Sequence, residues 1–275
     1  MLVVDAGDML YPRRRSPYDS ASRADARAGF IIRAQGRLGL DVWTPSALDL
    51  RYGLERLIAA ADEAGIALLA SNLSHNDGRP PPLASSRIER VGGVRLGLIG
   101  LVGQRPGLPA GLRVEEPIAA ARRALDELAG RAELVLVLSN LGIEADQRLA
   151  ERVAGLHLIF GAGDDRMILI PRRVGDSLLL QPYKRGEYLG LIALGLGRQV
   201  LPLVDVLERD RIEHELQRIG ADRPERAAEL KRRLRAASGP SSFRAVLRPL
   251  SADLPADAGL QRAIRSQLRS EVEPD

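Results

Sequence analysis

Runs of apolar residues alternate with polar stretches along the chain, and their spacing predicts an α/β order of elements. Leu2-Val3-Val4 is a short strand run that turns sharply at Asp5-Ala6-Gly7-Asp8. A loop rich in Pro, Arg and Ser covers Tyr11 to Ser20, and Ser22 to Leu38 reads as a helix of small residues and Arg. Leu54, Leu57, Ile58 and Ala61 recur at helical spacing, with Gly65 as the stop. "IALLASN" follows as a buried strand. "RIERVGGVRLGLIGLVG" reads as a hairpin around Gly92-Gly93 whose second arm continues as a central strand. Pro117 opens a helix through Ala129, and Glu115 and Glu116 sit where acids suit a helix N-terminus.

"ELVLVLSNLG" is the clearest buried strand. A helix around Ala145 to Val153 leads into "LHLIFGAGDD", a strand ending in a Gly- and Asp-rich turn. From Met167 to Leu207, short strands between Gly and Pro suggest a second, more antiparallel sheet. Beyond Asp205 the pattern changes to two charged helices with narrow apolar stripes: Leu207, Ile212, Leu216 and Ile219, then Ala227, Leu230 and Leu234. Those stripes fall short of sustained heptads, so a helical hairpin packed on the sheet domain is preferred to a dimerisation or partner-binding arm. An extended segment, "FRAVLRPLSADLP", and a last short helix follow. The expected domains are an α/β domain over 1–205 and a charged helical extension over 206–275. In such folds ligands bind at the carboxyl ends of strands, here "DAGD", "LSNLG" and "FGAGDD".

Composition narrows this picture without naming a chemistry. The 275 residues are 45% hydrophobic but only 3% aromatic, so the core is built from Leu, Val, Ile and Ala. The formal charge is +4 and Lys occurs only at Lys184 and Lys231; the Arg bias matches a GC-rich bacterial genome. Most Arg residues are interleaved with acids. The compact clusters Arg13-Arg14-Arg15 and Lys231-Arg232-Arg233 lack interleaved aromatics, so a nucleic-acid groove ranks low despite a pI near 9.8. Absence of cysteine excludes disulfides, thiolate metal sites and thiol catalysis. No apolar run reaches membrane-spanning length and no signal segment follows Met1.

Taken in order, the strand ends resemble the calcineurin-like metallophosphoesterases, on the 5′-nucleotidase branch. "VVDAGDMLY" fits that family's Gly-Asp-x-x-Asp/Tyr element, and "DVWTPSALDLRYGLERL" follows the framework of its Gly-Asn-His-Glu motif through Tyr52-Gly53. "LVLVLSNLG" matches a strand that ends Ser-His-x-Gly, and "LHLIFGAGDD" stands at the Gly-His-x-His turn. "LLLQPYKRGEYLGLIAL" resembles the strand pair closing the second sheet. The similarity runs over about residues 1–205. It implies an αββα sandwich of two mixed sheets flanked by helices, its first strand expected upstream of Met1.

The same resemblance implies phosphoester hydrolysis by two divalent ions (Mn, Mg or Zn), with a bridging carboxylate and imidazole ligands. Asp8 matches that carboxylate. Ala47 and Leu48 stand at the Asn-His positions, Asn140 at the next metal histidine, and Gly163-Asp164-Asp165 at the His-x-His turn. Asp8, Asn140 and Asp165 are therefore the candidate metal residues. Asp5 and Asp164 are further oxygen donors, although loop carboxylates more often satisfy nearby N–H groups. His75, His157 and His214 read as surface or locally satisfied side chains.

Three readings follow. The first is a degenerate domain, catalytically weak or inactive, with a binding or structural role toward a nucleotide or phosphoester. The second is a hydrolase using one oxygen-ligated metal at Asp8 and Asp165. The third is a fragment, since chains similar through "FRAVLRPL" continue into haem-binding Cys-x-x-Cys-His segments. The sequence as given reads as cytoplasmic, while the resembled family is mostly exported.

Overall fold

The computed structural model describes residues 1–12, 20–183, 186–219, 223–251 and 253–272; the Arg13-Arg14-Arg15 cluster lies outside them. The chain forms two compact units, Met1–Glu187 with Leu250–Asp275, and Tyr188–Pro249.

The first unit opens with β1 (Val4–Asp5), α1 (Ala21–Arg37), β2 (Val42–Trp43), α2 (Leu54–Glu63) and β3 (Ala67–Leu68). The three short strands form a parallel sheet in the order β1-β2-β3. Ser20 caps α1 by accepting the N–H of Arg23 at 3.2 Å. The apolar stripes of α1 and α2 (Ala28 and Ile32; Leu57 and Ala61) share a core with Trp43, Leu50 and Ile66.

The larger sheet is built next. After β4 (Leu73–His75) come β5 (Ser86–Val91) and β6 (Val94–Leu101), then β7 (Leu112–Val114), α3 (Pro117–Leu128), β8 (Leu134–Ser139), α4 (Ile143–Arg152), β9 (Leu158–Gly161), β10 (Ile168–Val174) and β11 (Ser177–Gln181). Six of these strands pair in the order β10-β11-β9-β8-β6-β5, with β6, β8, β9 and β11 parallel and the two edges antiparallel. The β5–β6 turn is made at Gly92 and Gly93, with φ of 59° and 86°, the consecutive positive values that a two-residue hairpin needs. Glu116 caps α3, its carboxylate accepting the N–H groups of Ile118 and Ala119 at 3.1 and 2.7 Å.

The central strands are buried on both faces, as parallel strands covered on two sides must be. Ile99 and Leu101 share a core with Ala120, Ala121 and Ala124 of α3 and Leu149 of α4. On the opposite side Gly100 lies against the β2 and β3 ends, where a Cβ would fall 2.5 Å from Thr44 Oγ1 and 2.4 Å from the Leu69 carbonyl. Two sheets with helices outside each is the α/β layering expected from the sequence. No helix among the described residues is long and apolar enough to cross a membrane.

The second unit holds β12 (Tyr188–Gly195), β13 (Leu203–Asp205), α5 (Val206–Arg218), α6 (Pro224–Ala236) and β14 (Ser241–Pro249). Here β14 is central, antiparallel to β12 and parallel to β13. Ile212 of α5, Leu230 of α6 and Phe243 of β14 are buried, and Arg226–Glu215 and Arg233–Glu208 pairs link the two helices. The helical hairpin thus packs within this second unit, α5 against β13 and β14, rather than on the larger sheet domain. α7 (Ala258–Val272) returns to the first unit.

One expectation about strand placement changes. The 167–207 region does not form one separate sheet, because Leu178–Leu180 of β11 pair in parallel with Leu158–Phe160 of β9 and draw β10 with them. The extended segment expected after the charged helices is the nine-residue β14, which supplies the centre of the second unit's sheet, and Asp205 lies inside that unit, paired with Phe243.

Candidate functional site at the strand ends

The opening turn is shaped by two successive residues with positive φ, Gly7 at 99° and Asp8 at 65°. Gly7 is required on a second count, because a Cβ there would lie 2.8 Å from both Ser46 N and the Thr44 carbonyl. Successive N–H groups in such a turn form a concave anion cradle, and here a side chain of the same molecule fills it. The fully buried Asp49 accepts the N–H groups of Asp8 at 2.9 Å, Met9 at 3.0 Å and Leu10 at 2.8 Å, and also the N–H and hydroxyl of Ser46 at 2.8 and 2.9 Å. Burial pushes the Asp49 carboxyl up, against the pull of these hydrogen bonds. Burial also raises Asp5 to about 7, opposed by the Gly7 N–H at 2.7 Å and reinforced by Asp49 and Asp8.

Asn72, after β3, ties the two sheets together. Its amide donates to the Val102 carbonyl at 2.9 Å and accepts the Val102 N–H at 2.8 Å. Neither Asp49 nor Asn72 stood out in the sequence. Asp49 had a readable signal, the Ser-x-x-Asp spacing of Ser46 and Asp49 that makes reciprocal helix-start hydrogen bonds. Here Ser46 Oγ accepts the Asp49 N–H at 3.2 Å at the start of the 3-10 turn Asp49–Tyr52.

The ends of β6, β8 and β9 meet around Asn140. Its N–H donates to the Leu101 carbonyl at 2.8 Å, and the Ala162 N–H donates to the Ser139 carbonyl at 2.7 Å. The Asn140 side chain is fully buried, and among the described residues both amide atoms lack a hydrogen-bond partner. Gly103 and Gly163 flank it closely: a Cβ on either would lie 2.2 or 2.6 Å from the Asn140 carbonyl.

Asp164 is committed elsewhere. One carboxylate oxygen accepts the Ile143 N–H at the start of α4 (2.9 Å) and the Arg166 guanidinium (3.0 Å); the other accepts the Arg166 N–H (3.0 Å) and the Gln181 amide (2.8 Å). Burial alone would raise this carboxyl, but the Ile143 and Arg166 N–H groups, the Arg166 guanidinium and the Gln181 amide hold it below the usual carboxylate range. Arg166 also forks onto Glu144 with two 2.5 Å contacts. Asp165 is exposed.

The sequence-identified residues therefore fall into two groups. Asp5 and Asp8 lie by the Asp49 cradle, whereas Asn140 and Asp164 lie at the β8 and β9 ends. Ala47 and Leu48 are buried and offer no ligating atom in their side chains. His157 is at the opposite end of β9, its Nδ1 accepting the Val135 N–H at 2.8 Å; burial pushes its imidazole down. His75 lies on β4 and His214 is exposed on α5. Among the described residues, no three His, Cys, Asp or Glu side chains converge to hold a metal ion. The dinuclear centre that the resemblance implies draws on imidazole as well as carboxylate donors, and the side chains at those positions do not supply them.

No protein-family model matches the chain. A curated relative, the uncharacterized metallophosphoesterase YunD of Bacillus subtilis, is 27% identical over 146 residues, covering 51% of this chain and 31% of that protein. Among solved structures, the Thermus thermophilus sulfate thiohydrolase SoxB superposes with a TM-score of 0.73 at 20% identity, over 98% of this chain and 42% of its own. A 5′-nucleotidase precursor, also from Thermus thermophilus, gives 0.68 at 17%, over 98% of this chain and 50% of its own. The calcineurin-like phosphoesterase YfkN of Bacillus subtilis gives 0.68 at 17%, over 99% and 85%. The chain thus spans about a third of the curated relative and under half of SoxB.

Proposed function

We propose that this chain, whose fold is that of the calcineurin-like metallophosphoesterases of the 5′-nucleotidase branch, is a phosphoester-binding module that does not run two-metal hydrolysis. The observation that carries this reading is the chemistry at the family's ligand positions. Ala47 and Leu48 are buried carbon side chains, Asn140 is a neutral amide, and Gly163 has no side chain. The last position of that turn holds the exposed Asp165, and its neighbour Asp164 already accepts four hydrogen bonds. Losing one ligand weakens a metal site; losing every nitrogen donor changes which ions it selects.

The test is metal content with turnover. The purified chain, equilibrated with Mn²⁺ or Zn²⁺ and desalted, is expected to retain no stoichiometric metal and to hydrolyse a chromogenic phosphate ester at background rate. Stoichiometric metal, with turnover abolished by Asp8→Asn, would overturn the reading.

One observation favours a second reading. The buried Asn140 amide oxygen has no hydrogen-bond partner, and such an oxygen suits a hard cation. A hydrolase with a single oxygen-ligated ion on Asn140 Oδ1 would release phosphate from nucleotides in Mg²⁺ and lose that activity on chelation.

A further inference from the structure

We propose that the cavity at the amino ends of β8 and β9 binds a free α-amino acid with an aliphatic side chain. Asp126 holds the ammonium of that ligand, and Arg122 with the His157 Nε2–H holds its carboxylate. β8 and β9 run parallel, so this end of the sheet is opposite the one that carries Asn140. The site is separate from the one described above and does not depend on phosphoester binding.

The cavity measures about 510 Å³, within the range of roughly 300–1,000 Å³ found for small-molecule sites. It is bordered by the last turns of α3 and α4 and by the starts of β8 and β9. Leu125, Leu128, Val135 and Val153 form most of its apolar lining.

Three polar side chains line the same space with bonding capacity left over. Arg122 and Asp126 stand four apart on α3, a spacing that permits an ion pair. The Arg122 guanidinium donates instead to the Arg152 carbonyl at the end of α4, at 2.9 Å. Among the described residues neither side chain forms an ion pair, and the Asp126 carboxylate accepts no hydrogen bond. His157 supplies a donor held in place from behind. Its Nδ1 accepts the Val135 N–H at 2.8 Å, and burial pushes the imidazole down, opposed by the charge of Asp176. The neutral ring therefore carries its one proton on Nε2.

This set matches a zwitterion rather than a simple ion. A carboxylate alone would leave Asp126 unpaired and beside a second negative charge. An ammonium alone would leave the Arg122 guanidinium and the Nε2–H without an acceptor. An ammonium at Asp126 also lies near the negative ends of two helices, each equivalent to about half an elementary charge. The apolar lining then favours a branched aliphatic side chain, which glycine lacks.

Isothermal titration of the full chain with L-leucine, isocaproate, isoamylamine and glycine tests the proposal. Leucine is expected to bind at one site per chain. Each of the others lacks the ammonium, the carboxylate or the side chain and should bind at least tenfold more weakly. Asp126→Asn and Arg122→Gln should each weaken leucine binding at least tenfold. Both residues are exposed, so these variants should melt within a few degrees of wild type. The ligand series on the wild-type chain decides alone where a variant is unstable. Absence of leucine binding overturns the proposal, as does leucine binding that survives both substitutions. Isocaproate or isoamylamine binding as tightly as leucine also overturns it, because one of the two charged partners then takes no part.

Discussion

The carboxylate of Asp49 holds the backbone of Asp8, accepting its N–H at 2.9 Å across 41 residues of sequence. The same carboxylate takes the next two N–H groups and the Ser46 N–H, so one buried side chain fixes the β1 turn against the loop after β2. Removing it strands four N–H donors that water does not reach easily. Asp49→Ala is expected to cost about 3–5 kcal/mol, the range for stripping a buried charged partner from its hydrogen bonds. Asp49→Asn should cost nearly as much, because its NH₂ would face N–H donors. Urea denaturation measures both; an alanine variant within about 1 kcal/mol of wild type would contradict this role.

Two glycines with similar backbone angles should respond very differently to alanine. Gly39 has a φ of 80° with nothing within 4 Å of its Cβ position, whereas Gly163 at 94° would place a methyl against the Asn140 carbonyl and the Arg105 guanidinium. Gly39→Ala carries only the left-handed backbone cost, about 1–2 kcal/mol. Gly163→Ala adds a clash with main chain and is expected to exceed it by at least about 1–3 kcal/mol, as overpacking does. Equal losses in the two variants would show that the strand-end turn yields freely.

Asn140 carries a cost in stability. Its amide is buried without a hydrogen bond among the described residues, so an apolar side chain of similar size should sit there more comfortably. Asn140→Leu is expected to raise stability by about 1–2 kcal/mol. A destabilised leucine variant would mean that the amide has a structural partner in solution.

How much of this was legible in the sequence follows from the range of the interactions. The Gly92-Gly93 hairpin, the Pro117 helix start and the β8 strand depend on neighbours within a few residues, and each lies where the pattern placed it. The ordered strand ends also carried the fold. The sheet membership of β10 and β11 did not, because their apolar runs suit either sheet and only pairing with β9 decides. Asp49 was hidden between Leu48 and Leu50, in a run that reads as core, although its spacing from Ser46 was a usable signal. The place of Arg105 was invisible for a different reason: its guanidinium packs against a glycine 58 residues later that leaves room for it. Spacing along a sequence does not reveal room of that kind.

The pH dependence of stability should carry the mark of Asp146. This residue is buried on α4, with its Oδ1 accepting the Ser139 hydroxyl, and its other carboxylate oxygen lies 2.8 Å from the Cβ position of Gly161. Burial pushes its carboxyl up to about 8, opposed by the Ser139 hydrogen bond and assisted by the charge on Asp164. In the unfolded chain an aspartate releases its proton near pH ~3.9. Between about pH 4 and 8 the folded state therefore holds more protons than the unfolded one, and stability falls as pH rises. The contribution is full below the unfolded value and is gone above the folded one. Asp146→Asn fixes the neutral form and keeps an oxygen for the Ser139 hydroxyl. Asp5 and His157 add their own slopes, but both are present in wild type and variant alike and cancel in the difference. Urea midpoints measured from about pH 5 to 8 should thus show the asparagine variant gaining on wild type by about 1 kcal/mol or more as pH rises, since a tenfold change in proton affinity corresponds to about 1.4 kcal/mol. Parallel profiles would mean that Asp146 is ionised in the folded protein, with Ser139 and the α4 N-terminus stabilising its charge.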